Sequence, residues 1–549
     1  MSQPIRFTPE MIDAYLKGGY WSNETTLDFL EGHKKTKPEN MAIVEGKRCF
    51  TWEEVGAVVE YFVSIFEGLS LERDTPVVVQ LPNSIEECLI RFALKKVGLL
   101  GSYIPVIWGR RELKAVLDVL KPGALIVPGS FKEADLLQNA QELRKEHPDI
   151  EILVAGSDID SEDFVCLSAT LEAARRGRTS RDVKSRAFGP FEVTKLVVTS
   201  GSTGSPKIVE RPEQQELMWG KGLSHCIDLT DEDVIGGFVP FSGGPGYFAW
   251  AGWLVTGSKL VLSDGFSPEA LLPVMERERV TVMMTAPAVL SRILDFSKLA
   301  QYDLQFLRVV RTGAANLPRT IAQKAEDMLG CMVLRAGGSM ETGSFGQVTT
   351  WDPDSVRLGN SLGKVMNGGE LRVVDANGVE VKTGSPGELL VRGPATSSGY
   401  YKDPETTIQA WGVLGPDGWF RTGDIATIDE DRNVSLIGRI KEMINRGGMN
   451  IFPVELESIL AEHPKIKEIA VVGLPDQGLG EVPCACVITE NKTDLSLQDV
   501  KQFLELRNVA RYKHPSSLVW FSDFPRGQTM RVNRRALGAE ALKTLENRN

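Results

Sequence analysis

The chain carries, at residues 194–207, the sequence Thr194-Lys195-Leu196-Val197-Val198-Thr199-Ser200-Gly201-Ser202-Thr203-Gly204-Ser205-Pro206-Lys207. The apolar run Leu196 to Val198 predicts a short buried strand. The glycines after it allow close backbone approach, and the hydroxyls, free N–H groups and closing lysine suit phosphate oxygens. The spacing is not G-x-x-x-x-G-K-[ST], because Pro206 stands where that pattern needs its second glycine. Taken alone, the stretch is equally compatible with a flexible Gly/Ser turn between two strands.

Length and composition limit the classes of protein to consider. A chain of 549 residues is too long for one core, so we expect two to four structural units. The net charge of −11 argues against a nucleic-acid surface, which is normally basic. There is neither a signal-peptide core nor an apolar run long enough to span a membrane. Seven cysteines without metal-ligand spacing fit a reducing compartment, and we predict a cytoplasmic enzyme.

Strands alternate with helices on both sides of this stretch. Pro76 to Leu81 reads as a strand, and a helix face containing Ile85, Leu89 and Val97 follows it. A second helix, Glu112 to Leu120, leads to the strand Ala124 to Val127. The pattern returns after the loop, with a helix start at Ser267 and strands at 280–285 and 307–312. Such alternation predicts parallel sheets joined by helical crossovers, an α/β fold.

Three other regions differ from this pattern. Residues 135–190 are charged and contain an arginine-rich run from Arg175 to Arg186, which we interpret as a solvated linker. Residues 369–400 contain hairpin signals around Asn377-Gly378 and predict a small β-barrel. A separate α+β module begins near Gly438, with a helix at 453–462, two strands and a helix opened by Ser496.

Several polar turns are individually weak signals. Glu341, beside a glycine turn, suits Mg²⁺ near phosphate, although a surface glutamate in a simple turn would look the same. Asp424 follows a tight turn and could accept two ribose hydroxyls, or merely cap that turn. The module boundary contains two charged residues, Arg439 and Lys441, followed by the flexible pair Gly447-Gly448.

Taken together, these motifs closely resemble the adenylate-forming superfamily of acyl-CoA ligases, luciferases and peptide-synthetase adenylation domains. The resemblance runs from the turn Pro82-Asn83-Ser84 to Arg534. It implies a large N-terminal domain of two α/β subdomains and a small β-barrel over residues 1–437, a hinge at 438–441 and a small mobile α+β domain over 442–549. It also implies a two-step reaction, in which a carboxylate and Mg·ATP give an acyl-adenylate and coenzyme A then displaces AMP.

The resemblance implies roles for individual residues. The predicted catalytic residues are Lys441, Arg531 and Glu341, the last also as metal ligand. The predicted AMP-binding residues are Thr199, Ser200, Gly201, Ser202, Thr203, Gly204, Lys207, Gly313, Ala314, Ala315, Gly338, Ser339, Met340, Asp424 and Arg439. The predicted coenzyme A tunnel contains Gly447, Gly448 and Met449. The predicted acyl pocket contains Phe241, Ser242 and Tyr247, where aromatic rings suit a bulky apolar acid.

The sequence departs from this family at groups that serve attack on ATP. Met530 and Arg531 stand where the family has a glycine and a lysine that reaches the α-phosphate. Gly337 and Met340 replace an aromatic residue and a threonine, and Ser242 replaces a frequent histidine. Arginine is a planar fork and cannot simply substitute for a compact ammonium group. These changes make the chain similar to the non-adenylating ligase of platensimycin/platencin-type pathways.

The main hypothesis is therefore an enzyme that transfers an acyl group from acyl-adenylate to coenzyme A, with adenylation weak or lost. A separate adenylating ligase would supply the acyl-adenylate. One alternative is a complete ATP-dependent acyl-CoA ligase, in which Arg531 or another lysine substitutes adequately. Another is a catalytically silent adenylate-binding protein. The partners that we expect are small molecules and coenzyme A, without nucleic acid or membrane.

Overall fold

The computed structural model describes residues 6–132, 134–156, 164–170, 172, 186–199, 206–263, 265–313, 317–490, 495–526 and 532–547. In chain order the strands are β1 Met41–Glu45, β2 Arg48–Thr51, β3 Pro76–Val79, β4 Leu100–Tyr103, β5 Ala124–Pro128, β6 Glu151–Ala155, β7 Val165–Leu167, β8 Val193–Thr199, β9 Lys207–Pro212, β10 Val234–Gly237, β11 Lys259–Leu262, β12 Val282–Thr285, β13 Val309–Thr312, β14 Met332–Ser339, β15 Gly343–Gln347, β16 Glu370–Val374, β17 Gly387–Arg392, β18 Gly399–Tyr400, β19 Phe420–Ile428, β20 Val434–Arg439, β21 Ile444–Arg446, β22 Met449–Ile451, β23 Glu468–Asp476, β24 Gly480–Ile488 and β25 Ser517–Trp520.

The helices within the described ranges are numbered in the same way. They are α1 Pro9–Lys17, α2 Thr26–Thr36, α3 Trp52–Gly68, α4 Ile85–Lys96, α5 Arg110–Leu120, α6 Leu136–Arg144, α7 Glu213–Ile227, α8 Gly244–Thr256, α9 Pro268–Glu278, α10 Pro287–Leu294, α11 Arg319–Leu329, α12 Asp354–Arg357, α13 Pro404–Trp411, α14 Pro453–Leu460, α15 Leu497–Leu506 and α16 Arg534–Glu546. None of them combines the length and the apolar character that crossing a bilayer requires.

Two eight-stranded mixed sheets form the larger part of the molecule. The first has the order β15-β14-β13-β12-β10-β11-β1-β2, and its strands are parallel except at the two edges. The second has the order β18-β9-β8-β4-β3-β5-β6-β7 and becomes antiparallel only from β8 to β18. Helices α3, α4, α7 and α8 contribute to one large apolar core that joins the two sheets. The predicted α/β class is confirmed.

The small barrel expected around residues 369–400 is instead an open antiparallel sheet. Its described strands have the order β16-β17-β19-β20, with β16 and β20 at the edges. Leu371, Leu389 and Val434 are buried on one face of it, where they pack together with Phe345 of β15. The hairpins were thus predicted correctly, but packing against a neighbouring strand covers their apolar face without closure of a barrel.

Part of the charged region 135–190 has regular secondary structure, whereas the linker interpretation of the run Arg175 to Arg186 stays a prediction. Helix α6 and strands β6 and β7 occupy this region, and β6 pairs in parallel with β5 at the side of the second large sheet. Ile152, Leu153 and Val154 of β6 are buried. Most of the arginine-rich run lies outside the described residues.

The chain passes from one sheet to another just after β20. Strand β20 ends at Arg439, a single 3-10 turn covers Ile440–Glu442, and β21 begins at Ile444 in a five-stranded sheet. This sheet has the order β22-β21-β24-β23 with β25 beside β24, and α14, α15 and α16 pack on it. Cys484 and Cys486 are buried in β24. The exact division into domains stays a prediction.

Candidate active site

A cleft of about 210 Å³ opens at the carboxyl ends of β12, β13 and β14, beside the start of α8. The carboxyl ends of parallel strands are where open α/β sheets bind ligands. Its lining residues are Trp219, Gly244, Pro245, Phe248, Met284, Arg311, Thr312, Gly313, Ala336, Gly337, Gly338, Ser339, Met340, Gly343 and Ser344. The cleft therefore brings together Gly313, Gly338, Ser339 and Met340, four of the predicted AMP-binding residues.

The hairpin between β14 and β15 forms one wall of this cleft. A Cβ atom on Gly338 would lie 2.0 Å from the carbonyl oxygen of Gly343, so glycine is required there. Ser339 donates its N–H to the Thr342 hydroxyl at 3.0 Å, and the Ser339 hydroxyl accepts the N–H of Glu341 at 3.2 Å. These bonds fix the turn that carries Met340 and Glu341. The Arg211 guanidinium fixes it from behind by donating to the carbonyl of Met340 at 2.9 Å.

Met340 stands where the resemblance implies a hydroxyl, and its side chain is engaged in packing. It contacts the apolar cluster that contains Val197, Val209 and Tyr400. Its sulfur lies 3.6 Å from the point where a Cβ of Gly244 would be. A thioether has no hydrogen to donate and is only a weak acceptor. At this point the cleft therefore presents an apolar surface.

Tyr400 connects the predicted metal ligand with the predicted phosphate lysine. Its hydroxyl donates to Oε1 of Glu341 at 3.4 Å, and Lys207 Nζ lies 4.9 Å from the centre of its ring. Burial, followed by the charge of Glu341, raises the pKa of the Tyr400 hydroxyl. Carboxylate oxygens are ligands that Mg²⁺ prefers, and Glu341 is only partly buried. The chemistry and partial exposure of Glu341 thus fit a residue that would hold Mg²⁺.

The predicted phosphate loop is described only at its ends. Thr199 and Lys207 are paired residues of the antiparallel strands β8 and β9. The Thr199 hydroxyl also donates to the carbonyl of Lys207 at 3.4 Å. Ser200, Gly201, Ser202, Thr203 and Gly204 lie outside the described residues, as do Ala314 and Ala315. Their roles stay predictions.

Asp424 and Arg439 meet across a strand pair. They are cross-strand neighbours of β19 and β20, and Arg439 Nε donates to Asp424 Oδ1 at 2.8 Å. The Asp424 side chain is 5% exposed, whereas that of Arg439 is 41% exposed. The Thr422 hydroxyl accepts the N–H of Asp424 at 3.0 Å and donates to Leu389 at 2.8 Å, which fixes the turn. A carboxylate held in this way can accept hydrogen bonds from a diol.

Lys441 lies in the 3-10 turn between the two sheets and is exposed. Its neighbour Glu442 accepts from Nε of Arg534 at 2.9 Å, and Glu457 pairs with both terminal nitrogens of the same arginine at 2.5 and 2.8 Å. Asn533 donates its N–H to the Pro525 carbonyl at 2.7 Å, and Arg526 pairs with Val532. The base of the C-terminal motif is therefore held by ion pairs and backbone hydrogen bonds. Met530 and Arg531 at its tip lie outside the described residues.

Gly447 and Gly448 form the two-residue turn between β21 and β22. Their φ angles are +59° and +87°, and Arg446 pairs with Met449 on either side. Two positive φ angles are the requirement of a type I′ hairpin, which glycine meets without strain. A Cβ on Gly448 would meet nothing within 4 Å. The hairpin by itself explains the glycine pair, and the coenzyme A tunnel at Gly447, Gly448 and Met449 stays a prediction.

The predicted acyl-pocket residues occupy a different place from the lining of the cleft. Phe241 and Tyr247 are each 1% exposed, and Ser242 is partly buried in the turn before α8. Within the cleft, Pro245 and Phe248 of the same segment supply the wall. Tyr247 instead packs edge-on against Trp219, with ring centres 5.7 Å apart. Tyr247 thus supports the wall from behind, and none of the three residues is among those that line the cleft.

Sequence reasoning missed two buried arginines beside the cleft. Arg311 lines it directly and is 3% exposed. Arg211 is 1% exposed and its guanidinium carbon lies 4.1 Å from the centre of the Trp219 ring. Burial lowers the pKa of both, that of Arg211 to about 10. The sequence did contain one signal, an arginine inside an apolar strand. Burying a charge without a partner is costly, so such an arginine calls for a functional or structural explanation.

Comparison with known proteins decides the family. Residues 30–401 match the AMP-binding enzyme family, and residues 455–530 match the AMP-binding enzyme C-terminal domain. The chain belongs to the AMP-binding enzyme family. This confirms the predicted membership of the adenylate-forming superfamily.

Curated relatives share nearly the whole length of this AMP-binding enzyme. The 2-hydroxy-7-methoxy-5-methyl-1-naphthoate–CoA ligase of Streptomyces carzinostaticus is 31% identical, over 99% of this chain and 98% of its own. The 2,3-dihydroxybenzoate-AMP ligase of Bacillus subtilis (strain 168) is 30% identical, over 97% of each. The chain is thus an enzyme of the acyl-CoA ligase group.

A solved structure shows the same fold. The crystal structure of the anthranilate CoA ligase AuaEII in complex with anthranoyl-AMP superposes with a TM-score of 0.84 and 22% identity. The similarity covers 95% of this AMP-binding enzyme and 98% of that chain. It confirms the predicted architecture of a large N-terminal part and a small C-terminal part.

Proposed function

We propose that this AMP-binding enzyme catalyses mainly the second half of the acyl-CoA ligase reaction. It takes a preformed acyl-adenylate, transfers the acyl group to coenzyme A and releases AMP. The observation that carries the proposal is the uneven alteration of the site. The residues that the resemblance assigns to nucleotide and metal, Asp424, Arg439, Lys207 and Glu341, are retained, whereas Met340 presents a thioether where adenylation would use a hydroxyl.

The chemistry of the two halves explains why one can be lost without the other. In adenylation, a weakly nucleophilic carboxylate attacks the α-phosphate of ATP, and donors must stabilise charge that develops there. Removing one such donor typically costs about 10²–10³ in rate. In thioester formation, the sulfur of coenzyme A forms a bond to the acyl carbon, and the bond from that carbon to the AMP oxygen breaks. The thiol loses its proton, and AMP leaves with the bonding electrons. The mixed anhydride is already activated and sulfur is a good nucleophile.

The residues of this chain would divide the work as follows. Asp424, held by its ion pair with Arg439, would accept the ribose hydroxyls. The loop from Thr199 to Lys207 would surround the phosphate, together with Glu341 and a bound Mg²⁺. Gly313, Ala314 and Ala315 would flank the adenine, and Gly338 and Ser339 would flank the acyl–phosphate link. The acyl group would extend into the cleft beside Phe248.

We also propose that the C-terminal part moves between the two halves of the reaction. Residues 438–441 would form the hinge, because the chain changes sheets between Arg439 and Ile444. Residues 442–549 would then rotate against residues 1–437. One described contact between the two parts is an exposed ion pair of Arg292 with Asp523 at 3.4 Å, which is weak enough to break during such a rotation. Gly447, Gly448 and Met449 would line the path of the pantetheine arm in the thioester-forming state.

The proposal requires a source of acyl-adenylate, which a separate adenylating ligase would supply. A cytoplasmic location is part of the proposal, and seven cysteines without metal-ligand spacing support it. A complete ATP-dependent ligase is the second candidate, because Glu341 and the base of the C-terminal motif around Arg534 are intact. In that case Arg531 would take the role of the lysine.

The test supplies one preparation of the enzyme with two sets of substrates. One mixture contains a panel of carboxylic acids with Mg·ATP and coenzyme A, and the other contains the corresponding synthetic acyl-adenylates with coenzyme A. We expect thioester from the adenylates and little or none from ATP. Thioester from ATP at ordinary ligase rates would contradict the proposal and support the complete ligase. Binding of a non-hydrolysable acyl-adenylate analogue without thioester in either mixture would identify a silent adenylate-binding protein.

A further inference from the structure

The guanidinium of Arg311 is buried at the cleft without a hydrogen-bond acceptor for two of its nitrogens. Arg311 is the third residue of β13, faces Met284 of β12 in register and is 97% buried. Its Nε and Nη2 have no hydrogen-bond partner among the described residues. Hydrogen bonds of buried polar groups are normally satisfied, and each exception needs an explanation.

The surroundings of Arg311 place its charge against the lining of the cleft. Its guanidinium carbon lies 4.8 Å from the centre of the Phe248 ring, and Phe248 stacks on Trp219 with ring centres 4.5 Å apart. Both aromatic residues line the same cleft as Arg311. Burial lowers the pKa of Arg311, and among the described residues the Cys226 thiol raises it. In the described part of the chain, no carboxylate forms an ion pair with this arginine.

A second buried arginine on the next strand shows what a purely structural role looks like here. Arg335 of β14 is 5% exposed and donates from Nη2 to the carbonyls of Arg357, at 3.0 Å, and of Gly359. It is not among the residues that line the cleft. Arg335 thus fixes a loop through Nη2, although its Nε, like that of Arg311, has no partner among the described residues. Nη2 of Arg311 fixes none of the described loops.

We propose that Arg311 selects acyl groups that carry a hydrogen-bond-accepting oxygen on the part of the acyl group farthest from the reacting carbonyl. The inference rests on the proposed function to the extent that the acyl group is taken to occupy this cleft. An otherwise apolar wall formed by Trp219, Phe248 and Met284 would hold the carbon skeleton, and Arg311 would donate to the oxygen at its end. Without such an oxygen, the guanidinium would remain desolvated and unpaired in the complex, which penalises purely hydrocarbon acyl groups.

The test uses pairs of acids that differ in one atom at the far side of a ring. The acyl-adenylates of 3-oxo- and 4-oxocyclohexanecarboxylic acid are compared with those of their 3- and 4-methylidene counterparts, in which =CH₂ replaces =O. We expect kcat/KM for thioester formation to favour the oxo member of at least one pair by about tenfold or more, as a hydrogen bond to a charged group implies. In Arg311→Met that preference should fall to about one, mainly because the methylidene substrate improves. Equal kcat/KM within both pairs for the unmodified enzyme would overturn the inference.

Binding measurements separate this inference from the proposed function. Dissociation constants of the matching acyl-sulfamoyl adenosines are measured by calorimetry, which needs no turnover. An oxo preference in binding that Arg311→Met abolishes supports the inference even where no thioester forms, an outcome that would refute the proposed function alone. Thioester formation without any oxo preference in rate or binding would refute the inference alone.

Arg335→Met is the matched control. It removes a buried arginine from the neighbouring strand, and we expect it to lower thermal stability while leaving the oxo preference unchanged. Loss of the preference in Arg335→Met as well would assign the effect to general loosening of the sheet and would overturn the role of Arg311. Binding of AMP alone shows that each variant is folded.

Discussion

Arg439 donates from Nε to Oδ1 of Asp424 at 2.8 Å across the strand pair β19–β20, and only the arginine is substantially exposed. This ion pair holds the buried carboxylate of β19 against β20, the last strand before the predicted hinge. Arg439 is two residues from Lys441, so a nucleotide bound at Asp424 would lie close to the segment about which the C-terminal part is proposed to move. The relationship gives the first prediction.

We predict that Asp424→Asn raises the dissociation constant for AMP or an acyl-sulfamoyl adenosine by about tenfold or more. The physical reason is the loss of charge on a group that accepts hydrogen bonds from the ribose, since such bonds contribute about 1.5–3 kcal/mol. Isothermal titration calorimetry measures the effect. Asp375→Asn is the control, because Asp375 is an exposed turn residue in the same four-stranded sheet. Unchanged affinity in Asp424→Asn would remove Asp424 from the nucleotide site.

The second prediction concerns restoration of adenylation. Met530→Gly with Arg531→Lys should raise ATP–pyrophosphate exchange in the presence of the cognate acid, because the compact ammonium group regains its reach toward the α-phosphate. Adding Met340→Thr should raise it further by returning a hydroxyl to the turn. A gain of about 10²-fold or more is the expected size. Arg535→Lys, one turn away on the exposed side of α16, is the control and should leave exchange unchanged. No gain in either restored variant would indicate that other residues limit adenylation.

The third prediction concerns Arg534, which anchors α16 to the five-stranded sheet. Arg534→Met leaves Glu442 and Glu457 without their shared cation and removes a donor from the Val471 carbonyl. Breaking a largely buried pair by removing one partner costs about 3–5 kcal/mol, and we expect a loss near the lower end because Arg534 is 21% exposed. Urea unfolding measures it. Arg535→Met should change stability by less than about 0.5 kcal/mol. Equal stability of the two variants would contradict this role.

The fourth prediction concerns Lys195, whose ammonium nitrogen is buried without a described hydrogen-bond partner, 3.1 Å from the centre of the Tyr247 ring. Burial, followed by the charge of Arg91, lowers the pKa of Lys195 well below its usual value, and Arg211 acts in the same direction. Glu216 and Glu87 oppose the shift, but each is paired with another cation, Lys95 and Arg91.

The sign of the pH dependence follows from that shift. Between the lowered folded pKa and the ordinary lysine value, the unfolded chain binds more protons, so stability rises with pH. Lys195→Met should therefore be more stable than the unmodified enzyme at pH 7, and the difference should shrink as pH approaches 10. Urea unfolding at pH 7 and pH 9 tests this. A variant less stable than the unmodified enzyme at pH 7 would mean that the ammonium group is stabilised by contacts with its neighbours.

Much of the fold followed from periodicity. Strand β3, helices α4 and α5 and the capped start of α15 at Ser496 lie where alternation and capping residues predicted them. Strand β6 was missed because charged residues dominate 135–190, although Ile152 to Val154 are buried and β6 pairs with β5. The open four-stranded sheet was misjudged because hairpin signals fix local pairing and do not show whether an edge closes.

The sequence predicted the motifs of the site but not the residues that form the wall of the cleft. Helix α8 is apolar nearly all around, so the sequence contained no stripe to show that Phe248 faces the cleft while Tyr247 faces the core. No sequence motif marks Arg311 as a site residue, because its environment is assembled from β12, β13 and α8. Tertiary packing alone decides both assignments.

The most direct measurement of the central claim is the ratio of two rates on one enzyme preparation. Thioester formation is followed with a single acid, once from its synthetic adenylate with coenzyme A and once from the free acid with Mg·ATP and coenzyme A. We predict that kcat/KM for the adenylate exceeds that for the free acid by about 10²-fold or more. Comparable values, with pyrophosphate released in step with thioester, would contradict the claim and identify a complete ligase.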